Sequence, residues 1–269
     1  ATVISYIVTS ICVLFYFFSK KSSLKIKANN LKLNKSTTLQ IIKLGIPTFT
    51  IQITSSIQHL ILNRSLSRYG GELALAAIGI IMSVTTFLVM PAMGIGQGAQ
   101  PILGFNKGAK EYNRVKDTLK LSIVSATTVI AIGFVISKIW PAQIVSIFNK
   151  NPRLIEMGVH GMGIFFKFIP LVGVQMLGSN YFQAVGKANK ATILGLSRQI
   201  FIFIPLLIIL PYYWGLEGVW WSAPLSDIGA FIFTGVWLLF ELKELNKMKY
   251  KEETAYNLQS NSKSADSHK

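Results

Sequence analysis

The sequence predicts an all-α polytopic membrane protein, and three observations carry that prediction. Residues are 51% hydrophobic and only 14% charged, with a mean hydropathy of +0.47, too little polar surface for an ordinary soluble globule. Long apolar runs alternate with short polar gaps, and because an unpaired backbone group in hydrocarbon is costly, helices are the economical way to cross. The 27 Lys and Arg residues are also unevenly shared. Charge-rich gaps at Lys20 to Lys43, Lys107 to Lys120, Lys187 to Arg198 and from Lys243 onward alternate with poorer ones. The poorer gaps hold Arg64 and Arg68, then Lys138, Lys150 and Arg153, then none around Gly215 to Gly218. By the positive-inside rule the charge-rich sides are cytoplasmic. This places a multi-pass chain in the plasma (cytoplasmic) membrane with its C-terminus in the cytoplasm.

The chain opens at Ala1 in an apolar run that continues to Phe18 and meets Lys20 and Lys21 directly. A secretory signal would carry basic residues before its apolar stretch and a small-residue cleavage site after it. Residues 1–18 therefore read as the end of a transmembrane helix that begins upstream, and the sequence as part of a longer chain. Residues 19–38 read as a basic cytoplasmic loop. Six spans follow, over Leu39 to Leu62, Leu73 to Phe105, Leu119 to Ile139, Leu154 to Val185, Ala191 to Trp214 and Leu216 to Leu239. Each is long enough for a hydrocarbon core of about 30 Å, so 39–241 is expected to form one transmembrane lobe. Residues 242–269, rich in Lys, Glu, Asn and Ser without apolar periodicity, are expected to be a disordered cytoplasmic tail. Proline interrupts five of the six spans, at Pro47, Pro91 and Pro101, Pro170, Pro205 and Pro211, and Pro224. Such prolines either bend helices around a cavity or are simply tolerated in membrane helices.

The net charge of +16 does not point to nucleic acid, because the basic residues are parcelled into short loops and no nucleic-acid motif accompanies them. Anionic lipid at the cytoplasmic surface fits them better, at about 1 kcal/mol for each nearby Lys or Arg. Cys12 is the only cysteine, which excludes an internal disulfide and a cysteine-based zinc site. His59, His160 and His268 are scattered, and the sequence has no HExxH, GxSxG or P-loop. No catalytic residue, metal, cofactor or enzymatic activity is expected, and oligomeric state carries no sequence signal.

Asp227 is the one carboxylate deep in a span. Counted from Leu216 at 1.5 Å per residue it lies roughly 17 Å inward, near the midplane. A charge there costs about 2.5 to 3.5 kcal/mol, so it must be paired, protonated or reached by water. Two readings stand: a proton or cation relay, or an ion pair with Arg198 on the neighbouring span. Thr48, Gln52, Ser55, Ser56, His59 and Asn63 recur at three- and four-residue steps, and Lys167, Gln175, Ser179 and Gln183 do the same on a later span. These stripes either line a wet cavity or join helices by hydrogen bonds. His59 is the histidine placed to titrate inside the bundle, which makes it the second candidate for ion coupling beside Asp227. Met90, Met93, Met176, Phe87, Phe165 and Phe166 offer an adaptable surface for flat apolar molecules or else face lipid and core. The cavity candidates are thus Gln52, Ser55, Met90, Gln175, Met176 and Asn180.

PAMGIGQGAQP over 91–101 is glycine-rich, but its spacing is wrong for GxGxxG and no strand precedes it. It belongs instead to an ordered set: Gly45-Ile-Pro47, GQGAQPILGFNKGAKEYNRVK at 96–116, FQAVGKANKA at 182–191, SRQIFIFIPL at 197–206 and GLEGVWWSAPLSD at 215–227. In order and spacing these resemble the C-terminal half of the multidrug and toxic compound extrusion (MATE) transporters, from about Leu39 to Leu239. The resemblance implies a six-helix C-terminal lobe of a twelve-helix transporter plus the end of the preceding helix, with the N-terminal lobe of the same chain as its partner. It further implies export of amphipathic organic cations, driven by sodium ions or protons, without a cofactor. One departure counts. Where the NorM-like branch carries a glutamate after Gly-x-Pro this chain has Ser55, and the span Leu154 to Val185 has no aspartate, its only acid being Glu156 at the outer end. The cation site of that branch is therefore expected to be absent, which moves the coupling carboxylate to the first lobe, where DinF-like members place it. Two alternatives remain at this stage: a flippase for lipid-linked saccharides using Lys167 and Arg198 as a basic cavity, and a non-transporting membrane scaffold if the gene encodes only this segment.

Overall fold

The computed structural model describes residues 2–18 and 34–266, and among these there is no strand. The chain divides into two compact units, Ala1–Phe49 and Thr50–Lys269. The first unit contains α1 (Thr2–Phe18) and the beginning of α2 (Lys35–Gly108). Side chains of α1 from Val3 to Tyr16 are exposed all round it, as suits a helix with lipid or protein on every side. The basic loop expected over 19–38 lies outside the described residues up to 33. Its last part is helix instead, because Asn34 caps α2: its Oδ1 accepts from the backbone N–H of Ser36 at 2.9 Å and of Thr37 at 3.4 Å.

In the second unit α2 provides two spans. The polar gap expected between Leu62 and Leu73 shrinks to a single break at Gly71, whose φ of 66° and ψ of −160° are non-helical and essentially reserved for glycine. Leu62 and Leu66 before the break and Ala74, Ala77 and Ile81 after it share one buried core. Next come α3 (Tyr112–Ile139), a short α4 (Pro141–Phe148), and α5 (Pro152–Phe165). Asn151 starts α5 by accepting the N–H of Arg153 at 3.0 Å, with Pro152 in the first turn where its missing donor costs nothing.

The single span expected over Leu154 to Val185 is two helices, α5 and α6 (Leu171–Ala184), separated by a turn at 166–170. Pro170 lacks an N–H, and its ring crowds the carbonyl of Phe166 four residues back. The break stays satisfied by tighter three-residue bonds, Lys167 N–H to Ile164 O at 3.0 Å, Ile169 to Phe166 at 3.1 Å and Leu171 to Phe168 at 3.0 Å. Each half is fourteen residues, about 21 Å, so only the pair crosses a bilayer.

Another proline widens a helix rather than breaking it. Between α7 (Ala188–Leu196) and α8 (Ile204–Trp214), residues Ser197–Phe203 form a π-helical segment. Ile204 N–H reaches back five residues to Gln199 O, which relieves the clash that Pro205 would otherwise make with the Phe201 carbonyl. Gly215, at φ 56°, then turns the chain into α9 (Leu216–Asp266). The expected disordered tail is corrected here, because α9 continues beyond Leu239 and Leu245 is fully buried with Leu238, Tyr181 and Phe182. Leu238, Leu242 and Leu245 keep one apolar stripe going through a polar composition.

Among the described residues, four helical stretches are long and apolar enough to cross a membrane: Phe49–Gly108, Tyr112–Ile139, Asn189–Trp214 and Leu216–Tyr250. With two arms in the first and the α5–α6 pair added, the expected six crossings are accounted for. Trp220 is the largest side chain buried at the centre of the main core, beside Ile81, Met162, Phe166 and Leu207. Gly161 lets it in, since a methyl group there would lie 3.2 Å from the indole.

Candidate functional site

Asp227 stands on the α9 face that also buries Trp220, Ala223 and Ala230, and it is only 4% exposed. Arg198 Nη2, from the π-helical segment, donates to Asp227 Oδ1 at 2.6 Å. Arg198 itself is 33% exposed, so the pair is buried at its acidic end and open at its basic end. The next residue, Gln199, meets Ser55 through long contacts: Gln199 Nε2 donates to Ser55 Oγ at 3.3 Å, and Ser55 Oγ approaches Gln199 Oε1 at 3.4 Å. Ser55, Gln199, Arg198 and Asp227 thus tie the first arm of α2 to the π-helical segment and that segment to α9.

A separate cleft of about 500 Å³ lies between the second arm of α2 and α6. Met93, Gln97 and Gln100 line it from one side and Met176, Asn180 and Gln183 from the other. Both triplets are spaced four and then three residues apart, which puts each on one helical face. All six side chains are neutral: amides at one level and thioethers at another. Gly96 makes the close approach possible, because any side chain there would collide with the Asn180 amide.

The structure gathers only some of the candidate residues. Met176 and Asn180 line the cleft, whereas Gln175, one position away, is buried and Met90 is 60% exposed outside the lining. Gln52 and His59 lie exposed on the first arm of α2; neither lines the cleft nor bonds Asp227. Ser55 is engaged with Gln199 rather than with the cleft. The second polar stripe loses its first member, because Lys167 falls in the α5–α6 turn with its Nζ 4.6 Å above the Trp221 ring. Phe165 and Phe166, for which an adaptable surface and the core were both open readings, are core residues.

One polar cluster was missed from the sequence. Glu241, 1% exposed at its side chain, accepts Lys187 Nζ at 2.7 and 2.8 Å and Tyr181 Oη at 3.2 Å, while Lys187 also reaches Glu244 at 3.1 Å. Lys190 lies 3.6 Å from Glu241. Burial works against the Lys187 charge, but the hydrogen bonds and attraction of Glu241 and Glu244 outweigh it and raise its pKa above the ordinary lysine value. A signal was present: Lys187 and Lys190 repeat at the same three-residue step as Glu241 and Glu244.

Broken and widened helices, an ion pair within the bundle and a neutral polar cleft mark a helical, multi-pass membrane protein. The MatE family profile matches residues 47–209, and the chain belongs to the MATE family. Multidrug export protein MepA of Staphylococcus haemolyticus (strain JCSC1435) is 27% identical over 242 residues, covering 90% of this chain and 53% of that protein. MepA of Staphylococcus aureus (strain N315) is 28% identical over 226 residues, covering 84% and 49%. Among solved structures, the MATE multidrug transporter DinF-BH is 36% identical with a TM-score of 0.73, covering 91% of this chain and 55% of that one. The inward-facing conformation of a MATE transporter of the MOP superfamily is similar in fold, with a TM-score of 0.82 at 21% identity, covering 91% and 57%. The chain spans about half the length of the curated relatives it matches.

Proposed function

We propose that this chain supplies the C-terminal lobe of a secondary active exporter, which moves amphipathic organic cations out of the cell by alternating access in exchange for sodium ions or protons. The cleft carries this reading. Amide oxygens of Gln97, Gln100, Asn180 and Gln183 offer partial negative charge without a fixed carboxylate, and Met93 and Met176 adapt to flat apolar bodies. Such a lining holds many cations loosely, which suits a substrate that must be released. Membership of the MATE family and relatives named as multidrug exporters support it.

Asp227 already holds a guanidinium at 2.6 Å, so we assign it to fastening α9 and place the coupling carboxylate in the half of the relatives' length that this chain does not span. The end of the bundle carrying Lys107, Lys110 and Lys116 would face the cytoplasm and its anionic lipids, with the C-terminus on that side. An exported cation moves against the membrane potential, so one-for-one exchange gains nothing from voltage. Each further coupled charge contributes about 2.3 kcal/mol per 100 mV. The test is efflux of a fluorescent organic cation from cells expressing the whole gene, with sodium and proton gradients collapsed separately. Export should stop with one of them. Export that survives the loss of both, or none under any condition, rules the reading out.

A further inference from the structure

The outer end of this lobe carries a second, smaller cleft with a different chemistry. It measures about 390 Å³ and is lined by Trp214, Glu217, Trp221 and Leu225. Leu216 and Glu217 open α9 immediately after Gly215, and Leu216 packs near Gly70 at the Gly71 break. The cleft therefore sits at the end opposite the lysines of the α2–α3 loop. Two indoles, one leucine and one carboxylate leave little for a neutral polar molecule or an anion to bind. They are what an apolar cation requires: a ring face with negative quadrupole, an apolar wall and a carboxylate at the edge.

The structure already shows a cation on one of these rings. Lys167 Nζ lies 4.6 Å above the Trp221 centroid, inside the roughly 6 Å at which such attraction operates. Lys167 comes from the α5–α6 turn and is not one of the residues that line the cleft, so its ammonium is a tethered cation that reaches the Trp221 ring from beside it. Glu217, side chain about half exposed, lends one oxygen to His160 Nε2 at 2.5 Å and stays at the edge of the cleft.

We propose that this cleft is an exit subsite for organic cations, in which Trp214, Trp221 and Glu217 receive the substrate and Lys167 competes with it for the Trp221 ring. The inference rests on the export reading above but concerns different residues from the Met, Gln and Asn cleft. A tethered competitor keeps the subsite weak, which favours departure of the substrate over its return.

The test is calorimetric binding of tetraphenylphosphonium to the purified full-length transporter in detergent micelles, in wild type and in a background whose inner cleft carries Asn180→Leu and Gln183→Leu. In that background Trp221→Leu should weaken the remaining binding about five- to tenfold and Glu217→Gln about threefold, whereas Lys167→Met should tighten it about threefold. Trp221→Phe, which keeps a weaker ring, should fall between and covers the case in which Trp221→Leu does not fold. Binding indifferent to both Trp221→Phe and Lys167→Met, in variants that elute as wild type, overturns the subsite and leaves the export reading standing. Trp221-dependent binding in a protein that exports no cation overturns the export reading and with it the exit role, leaving only a cation-binding cleft.

Discussion

Removing Arg198 should cost far more stability than neutralising Asp227, and removing both should recover most of the loss. The asymmetry follows from burial, since Asp227 is 4% exposed and Arg198 33% across a 2.6 Å contact. In Arg198→Met the carboxylate loses its cation where water cannot replace it. It then takes up a proton, and protonating an ordinary aspartate at pH 7 costs about 4 kcal/mol, in the range of about 3–5 kcal/mol for breaking a buried pair from one side. In Asp227→Asn the orphan is the guanidinium, whose donors can turn to water, so the loss should be about 1–2 kcal/mol. The double variant carries neither charge and should lose only about 1–2 kcal/mol, leaving a coupling of about 3–4 kcal/mol between the sites. Equilibrium unfolding of the purified transporter in detergent, with folded yield as a second readout, measures all four corners of the cycle. Losses that simply add, or an Arg198→Met cheaper than Asp227→Asn, would refute the reasoning. Export should persist in Asp227→Asn; its abolition with fold and substrate binding intact would make Asp227 a coupling residue instead.

Three further outcomes are expected. Gly71→Ala forces a side chain into a glycine-only conformation (φ 66°, ψ −160°) and should cost about 1–3 kcal/mol, whereas Gly79→Ala, helical and in open space, should be neutral or gain up to about 1 kcal/mol; thermal melting in detergent compares them. Gln97→Leu and Asn180→Leu each remove a polar group from the cleft and should raise the half-saturating cation concentration for efflux roughly fivefold, at about 1 kcal/mol per lost contact. Because the folded pKa of Lys187 is raised above 10.5, its ion network stabilises fully below that value and fades as pH rises through the folded pKa. Melting temperature should therefore fall at strongly alkaline pH, and Lys187→Met should remove that part of the decline while lowering stability at neutral pH.

The number and order of the crossings were legible because run length and the Lys/Arg bias are properties of composition along the chain. The proximity of Arg198 and Asp227 was legible too, because equal depth on adjacent antiparallel spans follows from rise per residue alone. What composition could not give was azimuth. Gln175 and Met176 are neighbours in sequence, yet one is buried and the other lines the cleft. Pro170 and Pro205 announced irregular backbone without saying that one would break its helix and the other widen it. The tail was misread for a different reason: Lys and Glu dominate its composition, while Leu238, Leu242 and Leu245 hold its helix in register, and Glu241 is charged yet buried because Lys187 and Tyr181 satisfy it.

The contacts of α9 and the helix breaks together constrain how the lobe can move. Along α9, Glu217 meets His160 of α5, Asp227 meets Arg198 of the π-helical segment, and Glu241 meets Lys187 between α6 and α7. Three polar ties at three depths, to three different elements, oppose sliding of α9, because a one-turn shift of about 5.4 Å would part all three at once. The ties of Asp227 and Glu241 are the costly ones to break, since either residue would be left as a buried unpaired carboxylate. Bending is easier elsewhere. The α5–α6 turn has already exchanged its regular helical bonds for tighter ones, and Gly71 interrupts α2 at a single residue. One end of each wall of the Met, Gln and Asn cleft leads to one of these breaks, α6 starting just after the turn and the second arm of α2 just after Gly71. A change in the width of that cleft can therefore occur at Gly71, by reorientation of the second arm of α2, while α6 stays fastened to α9 through Tyr181, Lys187 and Glu241, so the residues proposed to bind a cation and those that fix the lobe need not be the same.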